Sequence, residues 1–526
     1  MAEENSFVYG IIHIGSSSLS MRIVEYKDAD TIRVIEEVRK ETTFGEEVFI
    51  NKKLSFTSIR RLCDMLNGLK QLLRDYCVTD YKVYATAILR EAENRRPVLD
   101  LIHVNTGFYV DVVDMPQEIY YKHYLLQYLI QKSRNGKRYD YGDNLLFVDI
   151  TSGCVGLTAW ENGSLRYQHN VHIGTLRLLE TFKQNQRDSL DFPQAMAEYI
   201  HAIMSPLWGA IKRYHPSSII LSGREARIIA SLMKLSMDAE NKAEVKADAF
   251  KKLYMEAGSL SASRTRQKYY VSEQWAMTVL PTIQMTVLPT IHIYKEILDN
   301  VPVEHILMFG TTFVEAVTMF YGAEKVKEPF ILYMQTQNIE LTRSIAAAYY
   351  YEPLHTKALE LYSHVIIAGL KKKSGLTKRD EFLLRMAIIL YQIGKYVNLL
   401  DSQAHAWNLI RGTDIFGISD KEKDIVASVV YYDHKGNPSD DDTPFRILSD
   451  TAKMTALKLI SIFRMVRAMD ISRKQKMKDI TARATGDILI IEYDSRENTA
   501  LETWMFDKNK EFFENVYGLE VKLERR

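Results

Sequence analysis

Two short stretches of this chain carry residues that suit the binding of phosphate groups. In the first, the apolar residues Ile11, Ile12 and Ile14 lead into Gly15-Ser16-Ser17-Ser18, and the chain returns through Met21, Ile23 and Val24. That pattern predicts two strands joined by a tight turn. The turn's amides and serine hydroxyls can donate to phosphate oxygens, although an ordinary polar hairpin uses the same residues. The second stretch, "LLFVDITSGCVGL", runs from an apolar strand into Asp149-Ile150-Thr151-Ser152-Gly153-Cys154 and out again. His13 stands at the end of the first strand, where a metal-assisted phosphate site would use a carboxylate. Magnesium prefers oxygen ligands, which an imidazole does not supply. A protonated His13 could contact phosphate directly, and a neutral one could pack within the strand.

These turns need a scaffold, and the surrounding pattern predicts one. Residues 7–27 and 30–38 alternate as strands. In "LSFTSIRRLCDMLNGLKQLLRDYCV" the apolar positions Ile59, Leu62, Leu66, Leu69, Leu73 and Tyr76 step by three and four, which predicts an amphipathic helix. "YKVYATAIL" reads as a strand. The next segment reads as a helix, with Asn94 as a cap, Pro97 in the first turn and Gly107 as the stop. Strand "FYVDVVDM" and helix "PQEIYYKHYLLQYLIQ" follow, and residues 132–144 read as a polar linker. The opening pattern then returns, so strand–turn–strand followed by helices occurs twice. This predicts two similar α/β lobes with a cleft between them. From about residue 337 to 480 the pattern is helical, and the tail reads strand, helix, strand. An exact repeat, "MTVLPTIQMTVLPTIH" at 277–292, reads as a local duplication in a loop or helix end.

Composition narrows the function classes. At roughly 100–200 residues per domain, 526 residues imply about three or four domains. Hydrophobic residues make up 46% and charged residues 26%, and the net charge is +1. No global field favours nucleic acid or a membrane surface, so any anion site is a local patch. Three scattered cysteines (Cys63, Cys77, Cys154) argue against a disulfide framework or zinc site and for a cytoplasmic protein. "MAEENSF" lacks the pattern of a signal peptide, and no apolar run approaches the roughly 18–20 residues that span a bilayer.

Several segments together resemble the exopolyphosphatase / guanosine pentaphosphate phosphatase (Ppx/GppA) family. They are the first serine turn, "YATAILREAENRR", "LLFVDITSGCVGL", "VHIGTLRLLETF", and "AIILYQIGKYV" with "AHAWNLIRGTDIFGIS". The likeness runs in order along essentially the whole chain. It implies an α/β fold of two actin/Hsp70/sugar-kinase-like (ribonuclease H-like) lobes at 1–133 and 134–325. An all-α HD-like domain at 326–480 and a small α/β domain at 481–526 would follow. It further implies that polyphosphate or guanosine pentaphosphate/tetraphosphate binds in the interlobe cleft. There a water, helped by Mg2+, attacks the terminal phosphorus in a homodimer.

The resemblance also implies roles. Gly15, Ser16, Ser17, Ser18, Arg90 and Gly153 correspond to phosphate-binding positions. Glu118 corresponds to the catalytic, water-activating glutamate, and Asp149 to a metal ligand. Arg473, Lys474, Lys476 and Lys478 would line a polyanion channel, with Lys371, Lys372 and Lys373 as a weaker second run. A guanidinium such as Arg90 forks onto phosphate, although Glu91 or Glu93 could pair with it instead. Several positions depart from the family pattern. His13 replaces the first aspartate and Ser17 an asparagine. Thr151 and Ser152 replace glycines, and Gly156 replaces a glutamate. In the helical part His355 and His405 read as remnants of metal ligands, but Tyr391-Gln392 stands for His-Asp and Arg467 for a late aspartate. A dinuclear metal site is therefore not expected there. Two readings follow: a phosphohydrolase acting on terminal phosphoanhydrides, or a weakened homologue that binds the same ligands as a regulator. A sugar-kinase-like phosphotransferase lacks any sugar-site residues.

Overall fold

The computed structural model describes residues 6–135, 142–187, 189, 191–238, 241–257 and 288–526. Most of the 277–292 repeat and part of the 132–144 linker lie outside the described residues; the end of the repeat opens helix Leu288–Asn300. The chain divides into two compact units, Met1–Gln337 and Asn338–Arg526.

In the first unit the strand–turn–strand pattern produces two sheets of related order. Strands β1 (Phe7–Ile14), β2 (Ser18–Asp28), β3 (Thr31–Glu41), β4 (Tyr81–Ala85) and β5 (Val110–Val112) are arranged β3-β2-β1-β4-β5. Strands β6 (Leu145–Ile150), β7 (Val155–Glu161), β8 (Ser164–Val171), β9 (Ser218–Ser222), β10 (Lys242–Lys246) and β11 (His305–Phe309) are arranged β10-β11-β9-β6-β7-β8. Each sheet starts as an antiparallel meander and continues with parallel strands beside its first strand. Both first strands therefore end at a turn beside the next parallel strand, where open α/β sheets present ligand sites.

Helix Phe56–Asp75 buries Ile59, Leu62, Leu66, Leu69 and Leu73 against the first sheet, as the spacing predicts. Each such side chain contributes roughly 1.5–3 kcal/mol by leaving water. Ser55 caps this helix by accepting from the Ser58 amide, whereas Tyr76 lies past its end and is 41% exposed. The strand read over 81–89 ends at Ala85, and Ala87–Arg90 forms one helical turn instead. Asn94 precedes helix Arg95–Thr106, but its side chain caps nothing; it bridges the amide and carbonyl of Leu54 at 3.1 and 2.9 Å. Gly107 ends that helix in the left-handed region, at φ 75°.

Helix Met115–Asn135 links the two sheets. Trp160 Nε1 of β7 donates to His123 Nε2 on this helix at 3.0 Å. Helix Phe313–Val326 packs beside it through Tyr120, Tyr124 and Phe320, while Tyr9 of β1 donates to the Thr318 carbonyl at 2.6 Å. Residues from both halves of the unit thus meet around one cleft.

In the second unit, helices including Pro353–Leu370, Lys378–Leu390, Asp420–Tyr431 and Asp450–Met469 share one core with a three-stranded sheet. That sheet runs β12 (Lys478–Thr485), β13 (Ile488–Asp494), β14 (Glu520–Arg525), and helix Ala500–Tyr517 connects the last two strands. The tail pattern gives β13, the helix and β14. Strand β12 is missed because its outward positions are polar and charged.

Candidate functional site

The first serine turn forms one wall of a pocket between the two sheets. Gly15, Ser16, Ser17 and Ser18 line it together with His13, Thr86, Glu118, Lys122, Thr151 and Arg224. The turn is closed by the Gly15 amide donating to the Ser18 carbonyl at 3.0 Å. Arg224 begins helix Arg224–Leu232 directly after β9 and Gly223, and its Nη1 donates to Ser17 Oγ at 3.0 Å. Arg39 of β3 lines the same pocket. Two guanidinium groups, one from each half of the unit, therefore flank the serines.

Glu118 and Lys122 sit one turn apart on helix Met115–Asn135. Glu118 is 6% exposed and accepts from Arg90 Nη1 at 3.0 Å. The same Arg90 nitrogen donates to the Val113 carbonyl at 2.9 Å. Arg90 does not line the interlobe pocket; its guanidinium is occupied in holding Glu118. Burial is the largest influence and works against its charge, but Glu118, Cys154 and Glu91 together raise its pKa.

Asp149 lies at the end of β6, behind Lys122. Lys122 Nζ donates to both carboxylate oxygens of Asp149, each at 2.8 Å, and Ser222 Oγ donates to Oδ1 at 2.6 Å. Burial opposes the Lys122 charge, but Asp149 and Glu118, with Glu225 further off, raise its pKa above the usual lysine value. The ammonium is thus held charged inside the site.

His13 Nε2 lies 3.1 Å from Thr86 Oγ1, and its ring rests against Phe313. Burial, followed by the charges of Lys122 and Arg39, lowers its pKa to about 3. It is therefore neutral near pH 7, which removes the protonated phosphate contact from the alternatives.

The second turn is self-satisfied. Thr151 Oγ1 accepts from the amides of Gly153 at 3.3 Å and Cys154 at 3.1 Å. The amide of Gly153, a phosphate donor on the sequence reading, thus donates to the Thr151 hydroxyl here. Burial raises the Cys154 thiol to about 12, so it is not a nucleophile. At Gly156 a Cβ would lie 2.6 Å from Ile119 Cδ1, so a side chain there requires Ile119 to move.

The residues do not fit a magnesium site. Asp149, the expected ligand, already has both oxygens on Lys122. His13 offers no oxygen, and Gly156 brings no side chain. Among the described residues no three His, Cys, Asp or Glu side chains converge as a metal site.

The expected ligand positions of the helical unit are also filled from within. His355 Nδ1 is 2.6 Å from Asp470 Oδ2, and its Nε2 is 2.6 Å from Tyr391 Oη. Gln392 and Gln475 donate to Tyr391 and Asp470, at 2.7 and 3.0 Å. Arg467 pairs with Asp433, and its Nη1 is 3.0 Å from His434 Nε2. His405 lies partly exposed on helix Ser402–Gly412, outside this network. Of the proposed channel cations, Arg473 pairs with Glu352 and Lys476 with Glu502, while Lys474 and Lys478 are exposed.

Sequence reasoning missed the pocket cations Lys122, Arg224 and Arg39 and the carboxylates Glu37 and Glu225 that line the same pocket. A signal existed for the first two. Glu118 and Lys122 are spaced i, i+4 on a helix, and Arg224 follows a strand–glycine break in "IILSGRE". Arg39 gave none beyond strand alternation.

Comparison with known proteins agrees with this architecture. Residues 23–268 match the sequence model of the Ppx/GppA phosphatase family, and residues 351–512 match that of Ppx/GppA phosphatase, domain III. Among similar solved structures is an exopolyphosphatase from Cytophaga hutchinsonii. It has TM-score 0.50 and 16% identity, and the match covers 60% of this chain and 98% of that one. An exopolyphosphatase-like protein has TM-score 0.51 and 13% identity, covering 61% and 99%. The Aquifex aeolicus Ppx/GppA family member has TM-score 0.49 and 18% identity, covering 62% and 99%. At these identities the likeness speaks to fold alone, and the two structures with TM-score 0.50 and 0.51 agree with a mixed α/β fold. No described helix is long and apolar enough to cross a membrane.

Proposed function

Because the chain belongs to the Ppx/GppA phosphatase family, we propose that its interlobe pocket binds the terminal phosphate of inorganic polyphosphate or a guanosine pentaphosphate or tetraphosphate, and that binding rather than turnover is its activity. One observation carries this reading: serines and cations line the pocket, while the two carboxylates expected for hydrolysis are held in buried ion pairs. The serine turn, Arg39 and Arg224 line the pocket, and Glu41 at its edge pairs with both arginines, at 2.9 and 3.7 Å. Asp149 is committed to Lys122 and Glu118 to Arg90. Phosphoanhydride hydrolysis needs charge neutralisation and a base for water, and losing one such group costs about 10²–10⁴ in rate. Within the two units we read 1–133 and 134–325 as lobes, 326–480 as HD-like and 481–526 as a small α/β part. The free thiols of Cys63, Cys77 and Cys154 support a cytoplasmic setting, and the family reading carries a homodimer with it.

A second reading, slow hydrolysis, is favoured by Glu118 lining the pocket beside the serines. The test measures polyphosphate binding by calorimetry and phosphate release, for the parent and Glu118→Gln. The expected result is binding by both proteins and little or no release by either. Rapid release by the parent that drops about 10²-fold or more in Glu118→Gln would make hydrolysis the function. Absence of binding to polyphosphate and to the guanosine ligands would remove the phosphate reading.

A further inference from the structure

We propose that the Lys122 ammonium is the resident cation of the interlobe pocket, standing where a divalent metal would, so that the pocket takes a terminal phosphate free of magnesium. The proposal rests on the phosphate-binding reading above and adds the form in which the ligand is recognised.

The geometry is that of a replaced ion. Lys122 Nζ bridges both oxygens of Asp149 at equal distances of 2.8 Å, and Ser222 completes the carboxylate. A magnesium ion binds carboxylate oxygen at roughly 2.0–2.1 Å and keeps several waters in an octahedral shell. It has no place at Asp149 while the ammonium is there. An ammonium has three N–H donors. Asp149 takes two, and among the described residues the third has no protein acceptor. Lys122 nevertheless lines the same pocket as the serine turn. A point charge with one spare donor suits a phosphate oxygen.

The consequence concerns the ligand. Magnesium complexed to polyphosphate masks the charges that Lys122, Arg39 and Arg224 would read. An enzyme that needs the metal binds the complex, whereas this pocket should prefer the free anion.

The experiment is calorimetric titration of the full chain with inorganic polyphosphate of defined length, in EDTA and in millimolar magnesium. The parent should bind as tightly in EDTA as in magnesium, or more tightly. Replacing both partners together (Lys122→Met with Asp149→Asn) avoids stranding a buried carboxylate. That variant, with its fold checked by circular dichroism, should bind at least tenfold more weakly in EDTA. Parent binding tenfold tighter with magnesium overturns the proposal even though the pocket binds phosphate, as does unchanged binding by the double variant. Failure to bind in either buffer defeats the phosphate reading itself, and the proposal with it. The parent comparison decides the matter alone if the double variant does not fold.

Discussion

The interlobe pocket and the polar cluster of the helical unit each hold a side-chain cation against an aspartate, in different surroundings. Lys122 sits on Asp149 in the first, and Arg467 on Asp433 in the second. Around Lys122 the wall stays open, one donor is unspent, and two further guanidinium groups face the same space. In the helical unit His355, Asp470, Tyr391, Asp433 and Arg467 are all buried and joined to one another or to Gln392 and Gln475. A satisfied buried network fixes packing, and one with an unspent donor on a cavity can still take a ligand. The same kind of ion pair thus lines a pocket in one unit and is packed within a buried network in the other.

The largest effect that would sharpen this contrast is in the helical unit. Arg467→Met leaves Asp433 buried without its partner, which should cost about 3–5 kcal/mol of folding stability by chemical denaturation. Polyphosphate affinity should not move; a loss of affinity without loss of stability would break the comparison. Next in size, Arg224→Ala removes a charged donor at the pocket without opening a core. Its polyphosphate affinity should fall about tenfold, roughly 1.4 kcal/mol, with a shallower salt dependence than the parent. Unchanged affinity and salt slope would place the ligand elsewhere.

The smallest effect is in pH. His13 has a folded pKa lowered to about 3, chiefly by burial, so it stays neutral where the unfolded chain takes up a proton. The unfolded state then binds more protons below about pH 6.5, and stability falls as pH drops from there toward 3. Above about 6.5 both states are neutral and this contribution is absent. His123, also lowered to about 3 by burial, adds in the same direction. Each contributes a slope of at most about 1.4 kcal/mol per pH unit. Denaturation of the parent and His13→Asn at pH 7 and 5.5 should differ by one proton's share of that slope. Equal slopes would mean that His13 is not held neutral in the pocket.

Local spacing determined much of the scaffold. The step of three and four in Ile59, Leu62, Leu66, Leu69 and Leu73 makes one apolar stripe, and the helix formed there. The two strand–turn–strand patterns fixed both hairpins, because alternation and small turn residues act over a few positions. The residue types at His13, Thr151 and Gly156 were readable too. The partners of the charged groups were not. Lys122 could have paired with Glu118 on its own helix, yet it reaches Asp149, 27 residues away. Arg224 reaches Ser17 across 207 residues, and Arg90 turns to Glu118 rather than to the pocket. Burial makes an unpaired charge costly, so each ion takes the counter-ion that packing brings within reach. That choice depends on how the two sheets and helix Met115–Asn135 come together, and it belongs to the tertiary structure alone.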